Sequence, residues 1–529
     1  VRPVPPVVQR LLMALAGGSM LFAGHPPIDA GWLGYVALVP LVALSRNLST
    51  HQRPFRAGLG WGTLAGLVAF GPLLYWLLPF GVAAFGLLVV IQSMWLGLFV
   101  GLGAVYGERL WRPAVLVALW VGIEAARGVW PLGGFGWGSL GYTQHAGGPL
   151  LGVARTLGVH GVSLALAAIA VAAEEAIRTG RAVWPAARKA EIPAEHLFGA
   201  IRTPLLTVLG VLSLAVLLTG EAPEPTGGTV EVGIAQAGDT RATAAAGVNR
   251  LDSDRIQRVA ELALQATQPF AADPPDLVIW PENSLDIDIR TPRGEPIADL
   301  LAAGLEAVAP TPILAGEYIG GPQPNTLFNR MTVFTEEGEG ASYVKRKPVP
   351  FGEYVPARSL LDWFPPLEQI PNDTLPGAEA QVLEVAGAHI GGVICFENIF
   401  PGLVRDQVLA GADLVVVSTN NSSFGDTPMS AQHLAFSTLR AVETGRWVVH
   451  AGISGISAFI SPEGEVLQRT ELFEPASPRM EVPLLDGTTM AMRLGSLVPG
   501  LAQMMAVAAM ALVLGERVRA RRTGTTEDD

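Results

Sequence analysis

Long apolar runs fall into two unequal groups in this 529-residue chain, separated by a large stretch of different texture. That division constrains the fold most, because an apolar run of about 20 residues is at home in a bilayer or a very large core. Candidate spanning segments lie at 8–24, 30–45, 57–79, 82–106, 113–129, 159–176 and 203–219, with one more at 496–514. Half of the residues are hydrophobic, 16% are charged and the mean hydropathy is +0.38, high for a water-soluble protein. The abundance of Trp (12), Gly (61) and Pro (41) suits a helical membrane protein. The formal charge of −12 argues against a nucleic-acid partner. Val1–Gly24 resembles a signal peptide, yet Gly24-His25-Pro26-Pro27 is a poor cleavage site and another apolar run follows at once, so a retained first helix is expected.

Loop charges give the orientation. With the N-terminus inside, carrying Arg2 and Arg10, the inside loops hold Arg46, Arg53 and Arg56, then Arg109 and Arg112, then Arg178, Arg181, Arg188, Lys189 and Arg202. The C-terminal tail adds Arg517, Arg519, Arg521 and Arg522. The intervening loops 25–30 and 79–82 have no Lys or Arg, and 130–158 has Arg155 alone. This positive-inside alternation predicts a multi-domain membrane protein with both termini cytoplasmic and a large extracytoplasmic block between the seventh and eighth helices. The expected division is transmembrane helices over 1–220, a linker at 221–228, a catalytic domain over 229–490, an eighth helix at 491–515 and a tail at 516–529.

Within the outer block, short β-rich runs recur at Val230–Ala237, Asp276–Trp280, Pro312–Ile319, Met331–Thr335, Ile390–Cys395, Asp413–Ser418, Trp447–Ile453 and Ser457–Ile460. Helical patterns intervene at 251–267, 297–308, 400–410 and 428–445. Strands that are apolar on both faces and alternate with helices predict a layered α/β domain.

Cys395 is the single cysteine, so it is a packing residue, an accident or a nucleophile. It ends a predicted strand. Glu282 ends another, in Trp280-Pro281-Glu282, and Lys345 follows a third β-rich region in Tyr343-Val344-Lys345. A carboxylate, an ammonium and a thiol at strand ends form a set suited to acyl transfer: the carboxylate takes the thiol proton, and the ammonium stabilises thiolate and oxyanion.

At these residues the chain resembles the nitrilase superfamily, which uses a Glu-Lys-Cys triad on an αββα sandwich. Within it, the chain resembles the membrane-embedded apolipoprotein N-acyltransferase branch. The resemblance is carried by the triad segments, by Val349-Pro350-Phe351-Gly352-Glu353-Tyr354-Val355-Pro356, by Cys395-Phe396-Glu397 and by Thr419-Asn420-Asn421. In the membrane block it is carried by Tyr75-Trp76, Trp120, Glu124, Arg127, Phe135-Gly136-Trp137 and Gly141-Tyr142. It implies an eight-helix transmembrane bundle joined to an extracytoplasmic nitrilase-like α/β domain. It also implies transfer of a phospholipid acyl chain, through a thioester on Cys395, to the amine of a diacylglyceryl apolipoprotein. Glu282 is then the base and Lys345 the oxyanion lysine, with Lys347 as its rival. Glu353 is expected to orient Lys345 or the incoming amine, and Glu397 to sit near the thiol or support its loop. Phe351, Phe396, Asn420, Ser423, Phe424, Trp137, Tyr142, Glu124 and Arg127 are candidate substrate contacts. Glu124 and Arg127, at i and i+3, are expected to bridge each other or reach lipid headgroups. Segments 351–371, with Trp363, Phe364 and Leu367, and 422–429 are candidate lids.

The chain departs from the family pattern in three places. Ser423 stands where an aromatic is usual, Phe396 replaces a tyrosine, and the early motif reads Ala235-Gln236-Ala237-Gly238-Asp239. These bear on the substrate pocket and leave the triad whole. His25, His145, His160 and His433 have no ligand spacing, so neither a metal nor a cofactor is expected. A membrane-anchored amidase, or a transporter with a ligand-binding domain, would leave the branch-specific segment or the triad unexplained.

Overall fold

The computed structural model describes residues 4–188, 194–220, 222–240, 253–361, 363, 367–368 and 370–522. They form two compact units: one is helical, up to Gly220 with the segment from Leu494, and the other is the intervening chain to Arg493.

The helical unit contains α1 (Pro6–Ala23), α2 (Val39–Asn47), α3 (Pro54–Leu73), α4 (Val82–Tyr106), α5 (Arg112–Arg127), α6 (Val153–Arg188), α7 (Ala194–Leu217) and a last helix, Leu497–Arg522. Four described helices are long and apolar enough to cross a membrane: Pro6–Ala23, Val82–Tyr106, Val153–Trp184 and Leu497–Arg519. Small residues set the packing of α3 on α4. Gly58, Gly62 and Gly66 form one stripe of α3, and a Cβ on them would lie 2.6, 2.6 and 2.4 Å from Gly101 Cα, Leu96 O and Ser93 Cα of α4. Backbones this close are how apolar helices gain contact where lipid offers no hydrophobic drive.

The span expected at 30–45 is not a continuous helix. It is a 3₁₀ turn, Gly31–Tyr35, followed by the nine-residue α2, about 14 Å long at 1.5 Å per residue and far short of a bilayer core. The cause is tertiary. The turn Leu140–Gln144 packs so closely that a Cβ on Gly31 or Gly34 would lie 2.3 Å from Thr143. Gln144 Nε2 in turn donates to the Gly31 carbonyl at 2.9 Å, so irregular backbone is satisfied by protein. The segment still returns along α1, since Arg10 Nε donates to Asn47 Oδ1 at 2.8 Å. Charges gather at this end: Arg46 pairs with Glu174 at 3.0 Å and also meets Glu108 and Glu175, and Arg109 pairs with Glu516 at 2.6 Å. Other boundaries move too. α6 runs well past 176, with a break at Gly158 (φ 70°), and the last helix starts at Leu497, after a separate five-residue α-helix, Met490–Leu494.

The second unit is built on two sheets. Its strands are β1 (Pro225–Ile234), β2 (Leu277–Leu285), β3 (Ile313–Gly320), β4 (Thr326–Thr335), β5 (Gly338–Val344), β6 (Asp373–Thr374), β7 (Val382–Val385), β8 (Ala388–Ile394), β9 (Leu414–Thr419), β10 (Val448–Gly452), β11 (Ala458–Ile460), β12 (Val466–Leu467) and β13 (Arg479–Leu485). One sheet has the order β13-β1-β2-β3-β4-β5 with β6 on β4; the other has β12-β11-β10-β9-β8-β7. Alternate residues explain the layers. Leu277 and Ile279 of β2 meet Ile390, Ile394, Leu414 and Val416 between the sheets, whereas Val278 and Trp280 face the helices Ser253–Thr267 and Glu295–Val308. Val393, Val415 and Val417 likewise pack under Pro401–Leu409 and Met429–Thr444. Burial on both faces produces the continuous apolar runs.

Five strands, β5, β6, β7, β12 and β13, are not among the β-rich runs of the sequence, and for two of them the reason is local. β5 begins Gly-Glu-Gly-Ala at a sheet edge, and β13 carries Pro483, which only an edge strand tolerates. The expected linker is also too long at its far end: from Pro225 the chain is already strand, paired with Leu485 of β13.

Candidate active site

Three segments of the two sheets converge. Glu282 lies where β2 leaves its register with β3, and Gly316 makes room for it, since a Cβ there would be 2.5 Å from Glu282 Cα. Lys345 follows β5, its amide bonded to the Asn329 carbonyl of β4 at 2.9 Å. Cys395 turns out of β8 with φ +50°, a left-handed backbone that costs an L-residue about 1 kcal/mol and recurs at functional sites.

Glu282, Lys345 and Glu353 are 3%, 1% and 6% exposed. Lys345 Nζ donates to Glu282 Oε1 at 3.1 Å and to Glu353 Oε1 at 2.9 Å. Asn329 Nδ2 donates to the same two oxygens, at 2.8 and 3.1 Å. The remaining oxygens are held by backbone: Glu282 Oε2 accepts from Asn420 N at 2.8 Å, and Glu353 Oε2 from Val349 N at 2.7 Å. Burial alone would lower the Lys345 pKa, but the Glu282 and Glu353 charges outweigh it and hold the ammonium well above its ordinary range. Glu353 is lowered: burial pushes its carboxyl up, and Lys345 and its hydrogen bonds pull it further down. The Cys395 thiol is pushed up to about 12, first by desolvation and then by the Glu282 charge, against the pull of Lys345 and a hydrogen bond from Thr419. Cys395 is therefore a thiol at neutral pH, within electrostatic reach of the Glu282 carboxylate.

Glu397 ties the two halves together. It accepts from Tyr343 Oη (3.0 Å to each oxygen), Arg346 N (2.6 Å), Lys347 N (3.0 Å) and Ile394 N (2.8 Å). One buried carboxylate thus clamps the chain after Lys345 to the turn that carries Cys395, so it supports the loop. Gly392 allows this, because a Cβ there would be 2.9 Å from the Tyr343 ring. Lys347 points elsewhere, its Nζ 4.9 Å from the Phe400 ring centroid.

The other candidates separate into groups. Phe351 is 41% exposed on a loop with φ +58°, and Trp363 is 76% exposed. Arg358 anchors this segment through Asp373, at 2.6 and 2.9 Å; Phe364 lies outside the described residues. Phe396 is partly buried, edge-on to Phe400 at 5.1 Å. Ser423 is exposed and Phe424 partly so. Asn420, a candidate substrate contact, donates Nδ2 to Asn283 Oδ1 (3.1 Å) and accepts at Oδ1 from Ser422 Oγ (2.7 Å), while its backbone N–H holds Glu282.

Trp137, Tyr142, Glu124 and Arg127, also candidate substrate contacts, are interior residues of the helical unit, at most 3% exposed. Glu124 and Arg127 serve the loop after α5 instead of bridging each other. Glu124 Oε1 accepts from Leu140 N at 2.6 Å, and Arg127 donates to Trp137 O (2.6 Å), Ser139 Oγ (3.0 Å) and Gln92 Oε1 (3.1 Å). Unforeseen in sequence were Asn329, Tyr318, Tyr343, Thr419 and His433. A polar residue such as Asn329 amid an apolar strand was the available signal.

Relatives share this organisation. The family model for the apolipoprotein N-acyltransferase N-terminal domain matches residues 17–172, and that for carbon-nitrogen hydrolase matches 241–476. An apolipoprotein N-acyltransferase of Mycolicibacterium smegmatis is 34% identical over 98% of this chain and 88% of its own. The chain belongs to the apolipoprotein N-acyltransferase family. Members from Azotobacter vinelandii (31% identical, 90% of each chain) and Geobacter metallireducens (29%, over 92% of this chain and 91% of that one) match over similar lengths. Family membership thus extends over the helical unit as well as the carbon-nitrogen hydrolase domain.

The buried imidazoles make stability pH-dependent. Burial lowers the His433 pKa from 6.5 to about 4, and that of His450 well below 6.5. As pH falls below 6.5 the unfolded chain takes up protons that the folded chain refuses until about pH 4. The imidazoles' contribution is therefore complete above pH 6.5 and is lost on acidification, by about 3 kcal/mol from His433. Denaturant midpoints measured from pH 7.5 to 4 should fall over this window, and His433→Gln should remove part of the slope.

Proposed function

We propose that this protein transfers a fatty acyl chain, from the sn-1 position of a phospholipid, to the N-terminal amine of S-diacylglyceryl-cysteine apolipoproteins. The observation that carries this reading is the buried Glu282–Lys345–Glu353 cluster beside the partly exposed Cys395, in a chain whose relatives over nearly its full length are named apolipoprotein N-acyltransferases.

In the first step Glu282 takes the Cys395 proton as Sγ attacks the ester carbonyl, and Lys345 stabilises the oxyanion. The tetrahedral intermediate collapses to a thioester, and the departing lysophospholipid alkoxide receives the proton from Glu282. In the second step the acceptor amine attacks the thioester and gives a proton to Glu282. The Cys395 thiolate leaves and is reprotonated, restoring the enzyme. Lys345 keeps its proton throughout because its two carboxylate partners hold its pKa high. Glu353 acts by fixing that ammonium.

The placement proposed is eight membrane crossings with both termini cytoplasmic, the 30–45 crossing being irregular, and an extracytoplasmic catalytic domain. It is supported by the basic loops and by the ion pairs of Arg46 with Glu108 and Glu174 and of Arg109 with Glu516. Exposed Leu360 and Trp363 are the residues proposed to meet lipid.

The test is intact-mass spectrometry after incubation with a phospholipid bearing different sn-1 and sn-2 chains. An adduct of the sn-1 acyl mass, discharged by a diacylglyceryl-cysteine peptide with the peptide becoming N-acylated, is expected. An unmodified protein that hydrolyses small amides would favour an amidase instead.

A further inference from the structure

His433 takes no part in the chemistry above, yet it touches the nucleophile residue. It is 1% exposed on the helix Met429–Thr444, and its Nε2 lies 3.0 Å from the Cys395 carbonyl oxygen. A carbonyl only accepts, so Nε2 bears the proton. Burial keeps the ring neutral, with its pKa lowered to about 4, which leaves Nδ1 bare. That nitrogen is 3.4 Å from Thr419 Oγ1, and the same hydroxyl reaches Asn421 Oδ1 at 3.0 Å and hydrogen-bonds the Cys395 thiol.

The ring itself is held on several sides. His450 stands edge-on to it at 5.1 Å and Phe436 at 6.3 Å. His450 Nδ1 is bonded to Ser437 Oγ at 2.7 Å, and Ser437 Oγ accepts from Asn398 Nδ2 at 2.9 Å. Asn398 also donates to the His433 carbonyl at 3.3 Å. It belongs to the 3₁₀ turn Cys395–Ile399, so helix and nucleophile turn are cross-linked from both directions.

The turn needs such a hold. Cys395 sits at φ +50° without being glycine or asparagine, and a backbone in that region persists only where its surroundings impose it. Glu397 fixes the amide of Ile394, on the strand side of the nucleophile. Among the described contacts, His433 is the side chain that fixes the carbonyl on the other side.

We propose that His433 is a positioning residue: its Nε2–H, through the Cys395 carbonyl, holds the nucleophile in the left-handed conformation that presents Sγ to Glu282 and Lys345. The proposal rests on Cys395 being the nucleophile, and on nothing about the acyl donor.

Two variants of the full-length protein test it, His433→Gln and His433→Met. They have similar length, and only the Gln side chain carries an N–H that can reach the carbonyl. Cys395 alkylation by iodoacetamide and acylation by phospholipid would each be timed at pH 7.5, with thermal unfolding as the control for folding. His433→Met is expected to slow both reactions about 10- to 100-fold, through kcat with KM unchanged, as expected for a misplaced reacting atom. His433→Gln should stay within about tenfold of the original, the wild-type contact being partly restored. Equal rates in the two variants, wild-type rates in His433→Met, or failure of both to fold would each overturn the proposal. Failure of the wild type to take an acyl group from phospholipid, with the alkylation difference intact, would instead overturn the proposed function alone.

Discussion

Replacing Cys395 by alanine is expected to abolish acyl transfer, by about 10⁴-fold or more in kcat, with no acyl adduct seen by intact mass. No other thiol exists in the chain to substitute for it. The loss should be chemical and leave the fold intact, because the carboxylates and the ammonium keep each other satisfied without the sulfur, joined to each other and to Asn329 by hydrogen bonds. A further comparison isolates the backbone. Alanine inherits the φ of +50°, whereas glycine adopts it freely, so Cys395→Gly should be about 1 kcal/mol more stable than Cys395→Ala. Denaturant midpoints of the two inactive variants would measure this strain. Equal midpoints would mean that the turn relaxes once the thiol is gone, and a transfer rate near wild type in Cys395→Ala would remove this residue from the mechanism.

The second large effect is expected from Lys345→Met, on activity and stability together. Removal of the ammonium leaves Glu282 and Glu353 buried with both Oε1 atoms sharing Asn329 Nδ2, and Glu353 Oε1 also accepting from Tyr318 Oη at 3.4 Å. Breaking a buried ion pair from one side costs about 3–5 kcal/mol, because the surviving charges have lost both water and partner. Activity should fall about 10²- to 10³-fold from lost oxyanion stabilisation alone. The double variant Lys345→Met/Glu353→Gln separates the two effects: it removes the surplus charge, so stability should largely return while activity stays low. Unfolding midpoints and single-turnover acylation would be measured on both. If the single variant were as stable as wild type, the cluster would have to be wetter than its burial implies.

Much of the site was legible in the chain because its parts are local. Glu282, Lys345 and Cys395 each follow an apolar β-rich run, and a residue just past a strand faces a sheet edge, where chemistry can take place. Asn329 and His433 were illegible for the opposite reason. Asn329 meets Glu282 across 47 positions, and His433 meets Cys395 across 38; nothing near either residue in sequence announces its partner. Glu397 lies between these cases. It was singled out, but its binding to amides of residues 346 and 347 depends on how β5 and β8 pack across the core.

The sequence by itself determined which regions are apolar enough to leave water, which alternate as strand and helix, and where a thiol, an ammonium and a carboxylate stand at strand ends. These are properties of composition and period, summed over neighbours along the chain. Only the tertiary structure decided that residues 30–45 break into a turn and a short helix, because that break answers residues 140–144 pressing on Gly31 and Gly34. It also decided that Glu124 and Arg127 hold a loop together, and that the Cys395 carbonyl meets a side chain of a helix beginning 34 residues later. In each case the deciding contact joins segments far apart in sequence, and its geometry exists only once both have folded.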